Sequence, residues 1–353
     1  MNYIEKSFLR IYVNISFADL GHEECETCEH YKLHDPSHAE SNSPDCQVCK
    51  EWTEHVDKAK DARDKYREDA TKSDPQTLYV AADLEKVIML PRIDIFKIVV
   101  FTPRIIVFNE SFVPLGEDSQ YMPVACLWHE AITGRKKEDL FSTFYAFFLH
   151  YRDMKNVVVW LDNCAAQNKN WTLLSFLVFL INSGETDILT ITFRYFEPGH
   201  TFMAADSFHH QVELSLKRTK KVYDFSDFVK SVQESNSGKV VVKEMKQADF
   251  YLWEDNSSAS KLTRKKPRPY LKDMVEIVAE RGKFELAYKT SFSQEPQPLN
   301  FLKVKSMKKL PKPPVIPNVR GITSERKNKI IEKLVPLMPQ SRHKFWQDLT
   351  PLT

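Results

Sequence analysis

The sequence predicts an α/β protein built on one mixed sheet, and two observations indicate this fold class. Three extended, apolar segments follow one another between residues 77 and 131, separated by proline and glycine. Helical and extended patterns then alternate as far as residue 221. Neighbouring strands joined by short connections pair antiparallel, whereas strands separated by helices pair parallel. The combination therefore predicts a mixed sheet covered by helices.

The elements are predicted from their periodicity and their boundaries. The three leading strands are TLYVAADLEKVIML (77–90), RIIVFNESFVPLG (104–116) and MPVACLWHEA (122–131). A helix with aromatic residues at helical spacing, a buried strand, an apolar helix, an alternating strand and a last helix follow, in segments 136–154, 156–164, 168–184, 187–197 and 198–221. The resulting order, βββαβαβα, is the one used by the ribonuclease H-like fold.

The rest of the chain divides into two flanking regions. Residues 1–72 contain a cysteine-rich segment and a charged helix over 50–71, while 73–221 form the predicted ribonuclease H-like domain. Residues 222–353 are predicted as a basic C-terminal region, with a helix, short strands at KVVVKEM and ADFYLW, and terminal helices. Within this region, LPKPPVIPNVRGI (310–322) reads as an extended, proline-rich linker.

Charge is distributed unevenly along the 353 residues, although the formal net charge is only +2. Residues 1–214 hold 21 Lys and Arg against 33 Asp and Glu, whereas residues 215–353 hold 29 against 15. A basic final third predicts a polyanionic partner such as DNA, and a solvated basic tail is the alternative. No apolar run reaches the length of a membrane span, so we expect no membrane partner.

Carboxylates occur at the three places that this fold would bring together. Asp83 lies in the first strand, Asp162 ends the buried strand VVVWLD, and Asp206 begins the last helix, with Glu213 two turns further on. Converging carboxylates repel each other unless cations lie between them, and two Mg²⁺ or Mn²⁺ ions about 4 Å apart would neutralise them. Glu85 competes with Asp83, because both point to one strand face. Each acid could instead be a surface residue.

Histidines crowd the third acidic segment, at positions 200, 209 and 210. A histidine beside a phosphodiester can contact phosphate or move a proton. A packing or surface role is the alternative for His200, His209 and His210.

Four cysteines form the most specific local pattern. Cys25 and Cys28, then Cys46 and Cys49, give two C-x2-C pairs separated by 17 residues, a spacing typical of a four-cysteine structural zinc site. Nearby histidines leave a mixed Cys/His ligand set open; they are His22, His30, His34, His38 and His55. Cys126 and Cys164 are expected to be core thiols.

Three segments carry a resemblance to a known group. AADLEKVIMLPR, WLDNCAAQNKNW and PGHTFMAADSFHHQVE resemble the acidic blocks of transposase-like proteins of eukaryotic DNA transposons, a group abundant in insect and other animal genomes. The upstream CETC and the downstream basic segment are also similar, so the resemblance spans roughly residues 15–350.

The resemblance implies a ribonuclease H-like transposase of the DDE/DDD type, which cuts and joins DNA with two divalent ions. Asp83 and Asp162 match the first two acids, and Asp206 is the preferred third acid, with Glu213 as the alternative. Such proteins carry a longer N-terminal region, which leaves a truncated copy open. A domesticated, non-catalytic DNA-binding or chromatin-associated protein is the alternative function, and a zinc-stabilised interaction module is a weaker one.

A transposase-like protein would act in the nucleus, on DNA, and could form a homo-oligomer. The residues predicted to contact phosphate lie in basic segments after the last strand of the domain. They are Lys220, Lys221, Arg264, Lys265, Lys266 and Arg268, with Lys303–Lys312 as a further candidate segment. Trp253 and Tyr270 are predicted either to stack on bases or to belong to the core.

Overall fold

The computed structural model describes residues 25–38, 43, 45–93, 96–116, 120–258, 260–263, 269–307 and 310–352. The chain divides into two compact units, Met1–Asp57 and Lys58–Thr353. Residues 222–353, expected as a separate basic region, belong to the same compact unit as the predicted catalytic domain.

The N-terminal unit is small and helical in its described part. Helix α1 spans Glu26–His34, a 3₁₀ turn follows at Pro36–His38, and the long helix α2 begins at Gln47 and ends at Ala70. Tyr31 of α1 stacks on Trp52 of α2, with ring centroids 3.9 Å apart and planes 8° apart. This aromatic pair holds the two helices together, and the predicted charged helix over 50–71 is confirmed as α2.

Ten strands in the described part of the chain form one mixed sheet. They are β1 Thr77–Leu84, β2 Ile88–Leu90, β3 Ile105–Pro114, β4 Val124–His129, β5 Asn156–Leu161, β6 Thr190–Tyr195, β7 Val241–Glu244, β8 Glu276–Glu280, β9 Leu286–Lys289 and β10 Gln297–Leu299. The spatial order is β10-β9-β8-β6-β5-β1-β3-β4-β7, and β2 pairs with β3. The α/β class with a mixed sheet is therefore confirmed.

The centre of the sheet has the predicted mixture of directions. β1 and β3 pair antiparallel, as do β3 and β4, whereas β5 runs parallel to β1 and β6 runs parallel to β5. Strands β7, β8, β9 and β10 extend this centre at both edges. The predicted strand at KVVVKEM is β7, but ADFYLW forms 3₁₀ turns and only one isolated bridge, from Tyr251 to Val315.

Helices cover both faces of this sheet. Those of the second unit are α3 Lys97–Phe101, α4 Lys137–His150, α5 Ala165–Asn168, α6 Trp171–Asn182, α7 Ala204–Thr219, α8 Phe225–Gln233, α9 Val304–Met307, α10 Ser324–Lys333 and α11 His343–Asp348. Helices α4 and α6 bury aromatic and aliphatic side chains against one face, where Leu78, Val80 and Ala82 of β1 lie. Helices α7, α8, α10 and α11 pack on the other face, with Ala81. No helix among the described residues is long and apolar enough to cross a membrane.

The proline-rich segment 310–322 does not behave as a linker. Its backbone is hydrogen-bonded to the folded unit at several points: Leu252 N–H donates to the Pro314 carbonyl over 3.0 Å, and Ile316 N–H to the Phe250 carbonyl over 2.9 Å. Arg320 N–H donates to the Ile132 carbonyl over 2.8 Å. The expectation of a linker was wrong, because an extended proline segment also fits as a strap along a surface that offers carbonyls and amides.

Candidate functional site

Asp83 and Asp162 lie side by side at the ends of two parallel strands. Ala81 of β1 is paired with Trp160 of β5. Asp83 lies two residues after Ala81, and Asp162 lies two residues after Trp160. Side chains alternate along a strand, so both carboxylates point to the face that carries Ala81 and Trp160. Adjacent strands are about 4.8 Å apart, which makes the two aspartates neighbours.

Asp206 comes from the helix that packs on the same face. Helix α7 lies against β1 and β3 through Phe208 and Val212. The Asp206 carboxylate accepts a hydrogen bond from the Met203 N–H over 2.8 Å, which caps the first turn of α7 and fixes the position of the side chain. The structure thus brings together the three acids that the sequence predicted.

The electrostatics of Asp83 show how closely these groups interact. Burial and, acting in the same direction, the charges of Asp162 and Asp206 together raise the pKa of Asp83 to about 8. In the described part of the chain, the oxygens of the three acids do not all lie within 4.8 Å of one another.

The amide-rich loop after β5 positions Asp162. One carboxylate oxygen accepts hydrogen bonds from the Cys164 N–H over 3.2 Å and from the Asn168 side-chain amide. Asn163 donates to the Phe196 carbonyl over 2.9 Å, and the Tyr195 hydroxyl donates to the Asn168 carbonyl over 2.8 Å. These donors are neutral, so they orient the Asp162 carboxylate without neutralising its charge.

Lys169 is the first cation after Asp162, but its amine is used elsewhere. It is buried, donates to the Lys272 carbonyl over 3.0 Å, and lies 4.5 Å from the Tyr195 ring centre. Burial lowers its pKa to about 8, although the charges of Glu197, Asp273 and Asp162 partly oppose that shift. Lys169 therefore supports the loop.

Glu213, the alternative third acid, is held in an ion pair. Both of its oxygens accept hydrogen bonds from the Arg92 guanidinium, over 3.0 and 2.9 Å. These bonds lower the pKa of Glu213, and Lys217 lies 3.8 Å away. A carboxylate that is already neutralised by a bidentate arginine is a poorer cation ligand, so this geometry favours Asp206.

Glu85, which competed with Asp83 in the sequence, belongs to a hydrogen-bonded chain of its own. The Asn109 amide donates to it over 2.9 Å, and the Ser111 hydroxyl donates to the Asn109 side chain over 3.0 Å. Burial raises the pKa of Glu85 to about 7, and Asn109 partly counters that shift. Ser111 is paired with Asp83 across β1 and β3, so this polar chain runs beside the acids.

The three histidines have different positions. His209 Nδ1 lies 3.7 Å from the Asp83 carboxylate, and burial lowers its pKa to about 3. Its Nε2 has no hydrogen-bond partner among the described residues. His210 is exposed, and the backbone carbonyl of His200 accepts a hydrogen bond from Arg63 over 3.1 Å. His209 is therefore the histidine that lies at the acids.

Glu110 was not predicted. It is fully buried on β3, opposite Leu84, and one of its oxygens has no hydrogen-bond partner among the described residues. Burial, followed by the charges of Asp83 and Asp162, raises the pKa of Glu110 well above its usual range. A single carboxylate within the apolar run RIIVFNESFVP was the available signal.

The four predicted zinc cysteines are divided between two Cys/His clusters that could hold a zinc ion. Cys25 and Cys28 lie with His55, whose Nε2 is 3.1 Å from the Cys25 sulfur. Cys46 and Cys49 form the other cluster, together with His34 and His38. The predicted single four-cysteine site is therefore not the observed arrangement, because two helical turns hold each pair beside nearby histidines. His30 is exposed, and His22 lies outside the described residues.

The other two cysteines, Cys126 and Cys164, differ in how deeply they are buried. Cys126 is buried in the sheet, and burial raises the pKa of its thiol beyond the usual range. Cys164 is only partly buried, in the loop that positions Asp162, so the expected core role holds for Cys126 and does not hold for Cys164.

The predicted phosphate-contacting residues are only partly described. Lys220 and Lys221 are exposed where α7 ends. Arg264, Lys265, Lys266 and Arg268 lie outside the described residues. Lys312, in the further segment, donates instead to the Tyr145 hydroxyl over 2.6 Å. Trp253 is a core residue whose indole N–H donates to Ser142 over 3.0 Å, whereas Tyr270 is 74% exposed.

Comparisons with known proteins add one finding. A family model described as a domain of unknown function, DUF7869, matches residues 142–274. This stretch contains Asp162 and Asp206 but not Asp83. No curated protein matched the chain, and no solved structure did.

Proposed function

We propose that this protein is a transposase-derived nuclease with a ribonuclease H-like fold, which cleaves and joins DNA by two-metal catalysis. The observation that carries the proposal is the convergence of Asp83, Asp162 and Asp206 on one face of the sheet, at the ends of β1 and β5 and the start of α7. The strand directions also agree with that fold, since three antiparallel strands are followed by two parallel ones separated by helices.

The acid group fits divalent cations with oxygen ligands. Asp83 is half-buried beside two carboxylates that raise its pKa, and the donors to Asp162 are neutral. Positive charge at this position would allow all three acids to ionise. Asp83, Asp162 and Asp206 would hold the ions, and bound Mg²⁺ or Mn²⁺ would supply an activated oxygen nucleophile and stabilise the leaving oxygen.

The chain's own groups would prepare this site. The loop amides hold Asp162 towards Asp83, and the helix cap holds Asp206. His209, beside Asp83, would be positioned to interact with a phosphate oxygen or a proton at the site. Exposed Lys220 and Lys221 at the end of the same helix would contact DNA phosphates. The proposal implies action on nuclear DNA.

A plasmid-nicking assay tests this function. Purified full-length protein is incubated with supercoiled DNA and Mg²⁺ or Mn²⁺, beside Asp162→Ala and the matched control Asp153→Ala, an exposed aspartate in the turn after α4. We expect metal-dependent nicking that Asp162→Ala loses and Asp153→Ala retains. Folded protein that binds DNA without nicking it would overturn the proposal and favour a non-catalytic DNA-binding protein.

A further inference from the structure

The cluster of His34, His38, Cys46 and Cys49 has the dimensions of a metal shell. The His34 Nε2 and His38 Nδ1 atoms are 3.1 Å apart. The Cys49 sulfur lies 3.6 Å from the first nitrogen and 3.5 Å from the second, and the Cys46 sulfur lies within 4.8 Å of all three atoms. Four ligand atoms of the two kinds that zinc prefers thus face one point.

These separations match the edges of a zinc tetrahedron. With Zn–N bonds of about 2.0–2.1 Å and Zn–S bonds of about 2.3 Å, a tetrahedral ion places its nitrogens about 3.3 Å apart and nitrogen and sulfur about 3.5 Å apart. We propose that His34, His38, Cys46 and Cys49 bind one zinc ion in a closed site, and that Cys25, Cys28 and His55 supply ligands to a second zinc ion.

The outer nitrogens of both histidines support the first site. His34 Nδ1 is hydrogen-bonded to the Tyr31 carbonyl, which leaves Nε2 to face the cluster. His38 faces the cluster through Nδ1, while its Nε2 lies 3.9 Å from the Asp35 carboxylate. Ligating histidines commonly use the second ring nitrogen in this way, with a carbonyl or carboxylate that fixes the ring.

The order of the ligands along the chain gives the ions a structural role. Along the chain, Cys25 and Cys28 come before all four ligands of the closed site, and His55 comes after them. The segment between the ligands of the second ion would therefore contain every ligand of the first ion. Among its described residues, the N-terminal unit has little core besides the Tyr31–Trp52 stack and Cys49. A structural metal is one of the devices that stabilise a unit of this size when its core is small.

The zinc content of the purified full chain tests this assignment. Elemental analysis of protein prepared without chelator should give two zinc ions per chain. One ion would overturn the two-site assignment and support a single four-cysteine site, and none would overturn metal binding altogether. Cobalt substitution adds a control, since the intensity of the thiolate-to-cobalt absorption per bound cobalt ion separates a two-thiolate site from a four-thiolate site.

Paired variants identify the ligands of each ion. His34→Ala with His38→Ala should lose one of the two zinc ions, and Cys25→Ser with Cys28→Ser should lose the other. His30→Ala, an exposed histidine of the same helix, should keep both. Two ions remaining in the His34/His38 variant would contradict the assignment. If either variant is insoluble, the cobalt spectrum of the unaltered protein decides the question.

Discussion

The protein environment of Asp83 favours the protonated form of its carboxyl group, whereas a bound cation would favour the ionised form. Burial and the charges of Asp162 and Asp206 hold its pKa near 8, so without a cation the protein keeps it largely protonated at pH 7. A divalent ion would stabilise the ionised form. Under the proposed function, the same carboxyl group would bind a cation when it is ionised and would lower the stability of the metal-free protein.

Replacing Asp83 by Asn should expose that conflict. Without added Mg²⁺, Asp83→Asn should be more stable than the parent at pH 7, by an amount on the order of a few kcal/mol, because a disfavoured carboxyl is removed. Added Mg²⁺ should raise the Tm of the parent and leave that of the variant unchanged. Thermal unfolding with and without Mg²⁺ measures both effects. Equal Mg²⁺ shifts in the two proteins would contradict a metal site at Asp83.

Replacing Asp206 by Asn and replacing Glu213 by Gln should have different effects on the nicking rate and on stability. Asp206→Asn keeps an oxygen for the Met203 N–H, so it should fold normally and lose at least about a hundredfold in nicking rate. Glu213→Gln breaks the ion pair with Arg92, so it should lose about 1 kcal/mol of stability and keep most activity. The reverse pattern of nicking rates would make Glu213 the third acid.

Glu110 should give stability a pH dependence of known sign. Its folded pKa lies well above the unfolded value of about 4.3, so its contribution falls as pH rises from about 4.3 towards the folded pKa. Glu110→Gln should match the parent near pH 4 and become more stable above it, by at most about 1.4 kcal/mol per pH unit. Urea unfolding at several pH values without added Mg²⁺ measures the difference. A difference that stays constant with pH would show that folding does not raise the pKa of Glu110.

At the scale of elements, helix α2 is tied to the sheet through one buried acid. The Asp69 carboxylate accepts a hydrogen bond from the Trp160 indole over 2.9 Å and pairs with the Arg194 guanidinium. Arg194 Nε also donates to Glu276 on β8, over 2.7 Å. This network connects the end of the helix with β5, the strand that Asp162 follows, and with β6 and β8.

Asp69→Ala should therefore destabilise the protein strongly. Removing the acid leaves part of the Arg194 charge buried without its partner, at a cost of about 3 kcal/mol. Asp64→Ala on the same helix is the control, because its pair with Arg67 is exposed and contributes less than about 1 kcal/mol. Chemical denaturation followed by tryptophan fluorescence compares them. Equal losses in both variants would exclude the proposed anchor.

The elements differ in how well their sequence revealed them. Helices α4 and α6 and strands β1, β3 and β5 were predicted because each buries an apolar face that repeats at the helical or strand period. Strands β8, β9 and β10 were not predicted. They are three to five residues long, and their pairing depends on the edge that β6 offers, which no local pattern reveals.

At the scale of the whole molecule, the sequence predicted the positions of the acids better than their surroundings. Asp83, Asp162 and Asp206 followed from the order of the elements, because parallel strands end at one edge of a sheet. The Arg92–Glu213 pair and the buried Glu110 join residues far apart in sequence. The division of the cysteines into two clusters depended on which histidines the helices bring close.

The basic final third should make DNA binding depend on salt. Each phosphate contact that is lost reduces the slope of log K against log salt by about 1, so Lys220→Gln with Lys221→Gln should reduce it by about 2. Lys344→Gln, which changes an exposed lysine of α11, is the control. Titration by fluorescence anisotropy at several salt concentrations gives the slopes. An unchanged slope in the double variant would place the DNA contacts elsewhere.

The most direct test of the account is the location of bound Mn²⁺. A crystal soaked in Mn²⁺ and measured at wavelengths that separate manganese from zinc shows where each ion lies. We predict manganese peaks between Asp83, Asp162 and Asp206, and no manganese at Glu213. A crystal in which Mn²⁺ leaves the three acids empty, or in which a lysine or arginine neutralises them, would contradict the two-metal nuclease.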